Sequence, residues 1–289
     1  MNSGLILVDH IHFQYNGLLM GLLLYCVYFL RLERYPEVAA CFSLLVLSKH
    51  LFATLAPVIG VFLIKFYCIE NAAFSFSKFL QLFLIVSVFL LLAFLPFAIH
   101  GSDQISKIIS QLFPFGRGLI HAYWAPNIWS IYCFADKIFY MLAKLLKLDL
   151  SKSYPEKSID LYHSSAGMVG NFYFAVLPQI HAHHCLLLTL FSYTPIFYKL
   201  LYCDSKLCQR KLVDLIVYAS LSSFMLGYHV HENAIIIPII LQAAVAFNSD
   251  YHKLLFILMS VVGTYSLFPL FFTLPELILK GILFLKIKL

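Results

Sequence analysis

The sequence predicts an all-α, polytopic transmembrane helical bundle, and three observations carry that prediction. Hydrophobic residues make up 62% of the 289 and charged residues 12%, where a soluble domain carries about 25% charge. Mean hydropathy is +0.87, more apolar surface than one water-soluble core can hide. Third, the chain falls into apolar runs long enough to cross a hydrocarbon layer about 30 Å thick, which takes about 20 helical residues. This composition excludes a disordered chain, a coiled coil and most soluble enzymes.

Taken in order, the chain opens with Met1-Asn2-Ser3 and a short apolar stretch to Val8. It has neither the basic segment nor the cleavage site of a signal peptide, and it reads as the interior of a longer chain. Tyr15–Leu30 is a short, wholly apolar run. Pro36–Phe66 is either one long tilted helix or two short ones, broken near Ser48-Lys49-His50 and Pro57. Phe79–Ile99 is a clear span, and the polar stretch His100–Asn127 follows it. Trp129–Leu146 carries Asp136, Lys137, Lys144 and Lys147 among apolar residues at helical spacing, the pattern of an amphipathic helix in the interface. The other reading is a true span with snorkelling lysines. After the polar stretch Leu148–Leu177 come spans at Pro178–Leu201, Lys211–Tyr228, Asn233–Asn248 and Lys253–Thr273, with Pro275–Leu285 as the last. No fixed repeat divides the chain. The expectation is a single membrane domain over residues 1–289, with about nine spans plus an interfacial luminal helix.

The formal net charge is +6. No run of basic residues is long enough for a nucleic-acid patch, so no nucleic acid is expected as a partner. Arg31, Arg34, Lys65, Lys78, Lys199, Lys206, Arg210, Lys211, Lys286 and Lys288 collect at one set of ends. The positive-inside rule makes those ends cytosolic, provided Pro36–Phe66 crosses twice. The seven cysteines are irregularly spaced, with no CxxC pair, and read as reduced, buried thiols.

Three clusters at the opposite ends carry chemistry. Asp9-His10-Ile11-His12-Phe13-Gln14-Tyr15-Asn16 places a carboxylate, two imidazoles, amides and a phenol where a span begins. Such groups are costly there unless paired or facing water; the plainer reading is interface residues that hydrogen-bond the helix start. Phe113–Trp129 reads FPFGRGLIHAYWAPNIW. Glycines flank Arg117, whose guanidinium suits a phosphate. Tyr123, Trp124 and Trp129 either stack on a sugar or form an aromatic belt. His229-Val230-His231-Glu232-Asn233 has the spacing to hold a metal or an anionic phosphate, or to cap a helix end. His181, His183 and His184 form a further cluster at the start of a span.

Asp9–Asn16 (DHIHFQYN), Phe113–Trp129 and Ser222–Glu232 (SSFMLGYHVHE) resemble, in order, motifs of the endoplasmic-reticulum glucosyltransferases that use dolichyl-phosphate-glucose. The HAYWAPN form at His121–Asn127 resembles the branch of that family that adds the second glucose. The resemblance implies a GT-C membrane fold with a luminal active site in the endoplasmic-reticulum membrane. It implies inverting α-1,3 transfer of glucose from dolichyl-phosphate-glucose to a monoglucosylated dolichyl-pyrophosphate oligosaccharide, in N-glycan precursor assembly. By motif position, Arg117, His229 and His231 are expected to bind the donor phosphate. His10, His12, Gln14, Tyr15, Asn16, His121, Tyr123, Trp124 and Asn127 are expected to line the luminal site. No cofactor is implied, and membrane lipid is the surrounding partner. Two departures stand out. Asn233 occupies the place where the family has lysine, and the acidic first luminal loop expected to supply the general base precedes this chain. Asp9 and Glu232 are the carboxylates left as weak candidates. Two other functions stay open: a non-catalytic member that binds glycolipid or partner helices, and a metal or proton transporter built on the histidine clusters. The scarcity of carboxylates inside the spans counts against a transporter.

Overall fold

The computed structural model describes residues 3–11, 14–71, 73–113, 118–120, 125–147, 174–202, 205–268, 278 and 281–282. Among these the architecture is helix packed on helix. The strands Ile69–Glu70 and Ala73–Phe74 form one small antiparallel hairpin, with Ile69 opposite Phe74.

The Asn16–Arg31 helix packs on the Tyr35–Ser48 helix, which has Pro36 in its first turn. At Lys49 the backbone becomes extended (φ −153°, ψ 109°). The chain resumes as a 3-10 turn over His50–Leu55, the Ala56–Leu63 helix and a π turn over Ile64–Cys68. Of the two breaks expected in Pro36–Phe66, only the one at Lys49 interrupts the helical path. Pro57 instead starts a helix, where its missing N–H breaks no bond.

The Phe76–Ile99 helix packs on Tyr35–Ser48, fully buries only Leu82, sets Ile85 against the core and leaves most of its apolar surface outward. Gly101, at φ 122°, then turns the chain into the Ser102–Leu112 helix. A side chain at that φ is strained, so the turn suits glycine. The polar stretch His100–Asn127 therefore contains a helix to which the sequence reading assigned no element. Ile105, Ile108, Ile109 and Leu112 recur at helical spacing, and the polar residues between them masked that period.

A correction concerns the Ile128–Leu145 helix. Asp136 was expected on a polar face, but it is fully buried. Its Oδ2 accepts from the Ala175 backbone N–H at 2.9 Å, and its Oδ1 from Val176 (2.9 Å) and Leu177 (2.7 Å). The outward face is apolar instead, with Ile131, Phe134, Met141 and Leu145 exposed.

The run expected as one span at Pro178–Leu201 divides into the Ala182–Ser192 and Thr194–Tyr202 helices. Between them, buried Tyr193 places its hydroxyl 3.0 Å from the Thr54 carbonyl oxygen and 3.2 Å from that of Ala219. The Ser205–Leu226 helix follows. Asn233–Asn248, expected as a membrane span, is a buried apolar helical stretch. It consists of a 3-10 turn over Glu232–Ile235, the Ile236–Ala243 helix and a 3-10 turn over Ala246–Asn248. Ile236 to Gln242 are all buried. The Asp250–Ser266 helix packs on it.

Two cores result. The larger joins most helices and includes Leu19, Leu45, Phe52, Tyr193, Ile216 and Ile236. The smaller gathers Leu119, Ile120, Trp129, Cys133, Phe174 and Cys185. Among the described residues, three helical stretches are long and apolar enough to cross a membrane: His50–Cys68, Phe76–Ile99 and Ala182–Tyr202. Asn16–Arg31, Tyr35–Ser48 and Glu232–Asn248 are shorter apolar ones. The expected span at Pro275–Leu285 lies almost wholly outside the described residues. The described cysteines are free thiols, five buried and Cys41 half-buried.

Candidate functional site

The three sequence clusters meet at one end of the bundle. Asp9 caps the Asn16–Arg31 helix: its Oδ1 accepts from the Asn16 backbone N–H and Nδ2, both at 3.0 Å, and its Oδ2 accepts from the Gly17 N–H. Asn16 Nδ2 also reaches Gln14 Oε1 at 2.9 Å. That oxygen accepts from Asn233 Nδ2 at 3.0 Å, which ties the first cluster to the third. The other face of Asn16 is held by Lys49, whose Nζ donates to Oδ1 at 2.7 Å. Burial holds the Lys49 ammonium below its ordinary pKa, and the negative charge of Asp9 partly offsets this.

The second cluster is tied to the third through His229. Its backbone N–H donates to the Leu119 carbonyl at 2.9 Å, and its Nδ1 lies 2.8 Å from the Gly118 carbonyl oxygen. That contact requires Nδ1 to carry the proton, which leaves Nε2 as the acceptor in a neutral ring. His229 adopts φ 52°, a left-handed conformation rare for a residue other than glycine. Just before it, a Cβ on Gly227 would lie 2.5 Å from the Ser223 carbonyl oxygen, so only glycine fits. His50, beside Lys49, meets Phe113 edge-on with ring centroids 5.7 Å apart, which brings in the start of the second cluster.

Of the residues singled out from sequence, Gln14, Asn16, His229, His231 and Glu232 lie in this region. His231 Nδ1 is 3.2 Å from Oε1 of buried Glu232 and 3.4 Å from the Asn233 backbone N–H. A protonated ring makes the ion pair, and an unprotonated Nδ1 accepts from Asn233. Tyr15 is exposed, with its hydroxyl 3.4 Å from the Ser48 carbonyl. Buried Asn127 caps the Ile128–Leu145 helix. Its Oδ1 accepts from the Trp129 and Ser130 N–H groups, and its Nδ2 donates to the Phe224 carbonyl at 3.4 Å. His10 lies on the Ile6–Ile11 turn, and its side chain is outside the description. His12, Arg117, His121, Tyr123 and Trp124 lie outside the described residues.

Sequence reasoning missed Lys49 as a member of this region. The signal available was the helix break beside a lysine at an end that the positive-inside rule leaves poor in cations. Among the described residues, no group of three or more histidine, cysteine or acidic side chains is arranged to hold a metal ion. Asn233 Oδ1 is buried and accepts no hydrogen bond among the described residues.

Comparison with known proteins gives the region a context. The profile of the ALG6, ALG8 glycosyltransferase family matches residues 1–289. A Mus musculus protein named dolichyl pyrophosphate Glc1Man9GlcNAc2 alpha-1,3-glucosyltransferase is 37% identical over 98% of this chain and 54% of its own length. Proteins of the same name from Arabidopsis thaliana (38% identical, 98% of this chain, 54% of the relative) and Candida albicans (36%, 97%, 50%) are similar. The chain spans about half the length of these curated relatives. With the profile matching from the first residue to the last and all three clusters joined at one end of the bundle, the chain belongs to the ALG6, ALG8 glycosyltransferase family.

Proposed function

We propose that this chain takes part in an inverting α-1,3 transfer of glucose from dolichyl-phosphate-glucose to a monoglucosylated dolichyl-pyrophosphate oligosaccharide. The step belongs to N-glycan precursor assembly, on the luminal face of the endoplasmic-reticulum membrane. The carrying observation is the joining of the three clusters by Gln14–Asn233 and by the two contacts of His229 with Gly118 and Leu119.

In an inverting transfer the acceptor hydroxyl attacks the glucose anomeric carbon from the side opposite the phosphate. The new C–O bond forms as the bond to the phosphate oxygen breaks, and the electron pair leaves with dolichyl phosphate. The hydroxyl proton passes to a base. Arg117, His229 and His231 are assigned to the phosphate, where cations and fixed donors stabilise the developing charge. The Gly118 carbonyl holds Nδ1–H and so fixes the orientation of the His229 ring; a protonated Nε2 is a donor suited to phosphate oxygen.

Asp9 is a poor base in this arrangement, because both its oxygens already accept hydrogen bonds at the helix start. Glu232 is buried beside His231 and suits orienting that ring. We therefore assign the base to neither. We assign no cofactor to the step. The dolichyl chains would lie along the apolar outward faces, such as that of Phe76–Ile99.

The test is glucose transfer in microsomes that lack the native enzyme, supplied with dolichyl-phosphate-glucose and the monoglucosylated acceptor. The chain is expressed alone and also joined to the preceding half of a relative. A diglucosylated product from either supports the reading, and the chain alone making it would place the base within these residues. Stable insertion of both proteins with no product overturns the reading.

A further inference from the structure

Lys49 has no role in the function argued above, yet it stands where the clusters meet. It occupies the break between two helical segments, at the end of the bundle opposite Arg31, Arg34 and Lys65. Its ammonium carries three donors. One goes to the neutral amide of Asn16 at 2.7 Å, and among the described residues no carboxylate lies within ion-pair distance of Nζ. The nearby negative charge, Asp9, already accepts three other hydrogen bonds. Burial also strips water from the ammonium, as its lowered pKa records. A half-desolvated cation with a neutral partner is costly unless an anion completes it.

The surroundings say where the anion would sit. Asn16 and Gln14 link the ammonium to Asn233, and the ring of His50, next in the chain, meets Phe113. We propose that Lys49 binds the phosphate of a polyprenyl-phosphate lipid, with Asn16 holding the ammonium in place. This assignment rests on the transferase reading above and adds to it a residue that the three motifs do not contain. The competing explanation is structural: a cation at the C-terminal end of the Tyr35–Ser48 helix favours the helix dipole.

The test uses the full chain in nanodiscs of neutral phosphatidylcholine, with binding of dolichyl phosphate compared with that of uncharged dolichol. The unaltered chain is expected to prefer the phosphate by about tenfold or more, the value of one hydrogen bond between charged groups. Lys49→Met lowers that preference about tenfold, leaving the share of Arg117, His229 and His231, and Lys49→Arg keeps most of it. Asn16→Asp places a carboxylate against Nζ and weakens phosphate binding with the lysine still present, so it decides the matter if Lys49→Met does not fold.

A folded Lys49→Met variant that keeps the preference to within about twofold overturns the assignment and leaves only the dipole role. In that case the transferase reading stands, because the unaltered chain still selects the phosphate. No preference in the unaltered chain overturns both. Binding of inorganic phosphate without any lipid preference also overturns the proposal, in favour of a free-anion site.

Discussion

Asp9 and Asp136 each accept three hydrogen bonds, and they stabilise different things. Asp9 takes its donors from Asn16 and Gly17, within eight residues, and sits partly open to solvent. It fixes the start of one helix and orients Asn16 toward Lys49. Asp136 takes its donors from Ala175, Val176 and Leu177, about forty residues away, and is completely buried. It pins one chain segment onto a helix and closes the smaller core. The local joint passes its order on to other polar side chains. The distant one holds three backbone N–H groups in place, so the first belongs to a site and the second to a scaffold.

Cysteines in the two cores let this contrast be tested. The largest effect is expected from Asp136→Ala, which strands three backbone donors and is expected to cost about 3 kcal/mol. Labelling of Cys133 and Cys185 by a thiol reagent should then accelerate about 100-fold, while Cys26 in the larger core keeps its rate. Equal rates at all three would show that the two cores open together and would break the distinction.

Asp9→Ala removes a helix cap and is expected to cost about 2 kcal/mol. Here Cys26 should respond and Cys133 should not. Asn127→Ala removes the cap of the Ile128–Leu145 helix for about 1 kcal/mol, raising Cys133 labelling about fivefold.

The smallest effect concerns pH. Burial holds Lys49 below its ordinary value of 10.5. Between that lowered value and 10.5 the unfolded chain binds more protons than the folded one, so stability rises with pH across this window. Thermal midpoints measured up to pH 10.5 should climb more steeply for the unaltered chain than for Lys49→Met. Asp9→Asn removes the charge that supports the ammonium and should widen the window downward. Identical slopes in all three would separate Lys49 from the Asp9 joint.

Much of this was legible from local pattern. The break at Lys49 follows from a polar pair interrupting an apolar run. The Asn16–Arg31 and Phe76–Ile99 helices follow from hydropathy. The ordering of the three clusters pointed to one region, because their residue types are costly in lipid unless gathered. What escaped had distant causes. Nothing near Asp136 in the sequence announces that the backbone at 175–177 will cover it, so its charge looked like a mark of solvent. That Asn233–Asn248 faces protein was not legible either, because a fully buried helix and a lipid-facing one are equally apolar. The link from Gln14 to Asn233 crosses 219 positions, and periodicity carries no information at that range.

The Phe76–Ile99 helix has one further consequence. Its 24 residues measure about 36 Å against a hydrocarbon layer of about 30 Å. The excess is relieved by tilting about 30° or by local thickening of the lipid. Because Gly101 joins this helix directly to Ser102–Leu112, a change in the lean of the one carries the start of the other with it. Bilayer thickness thereby becomes a mechanical input: short acyl chains would increase the lean, long ones would straighten it, and Ser102–Leu112 would swing like a pointer on a gauge.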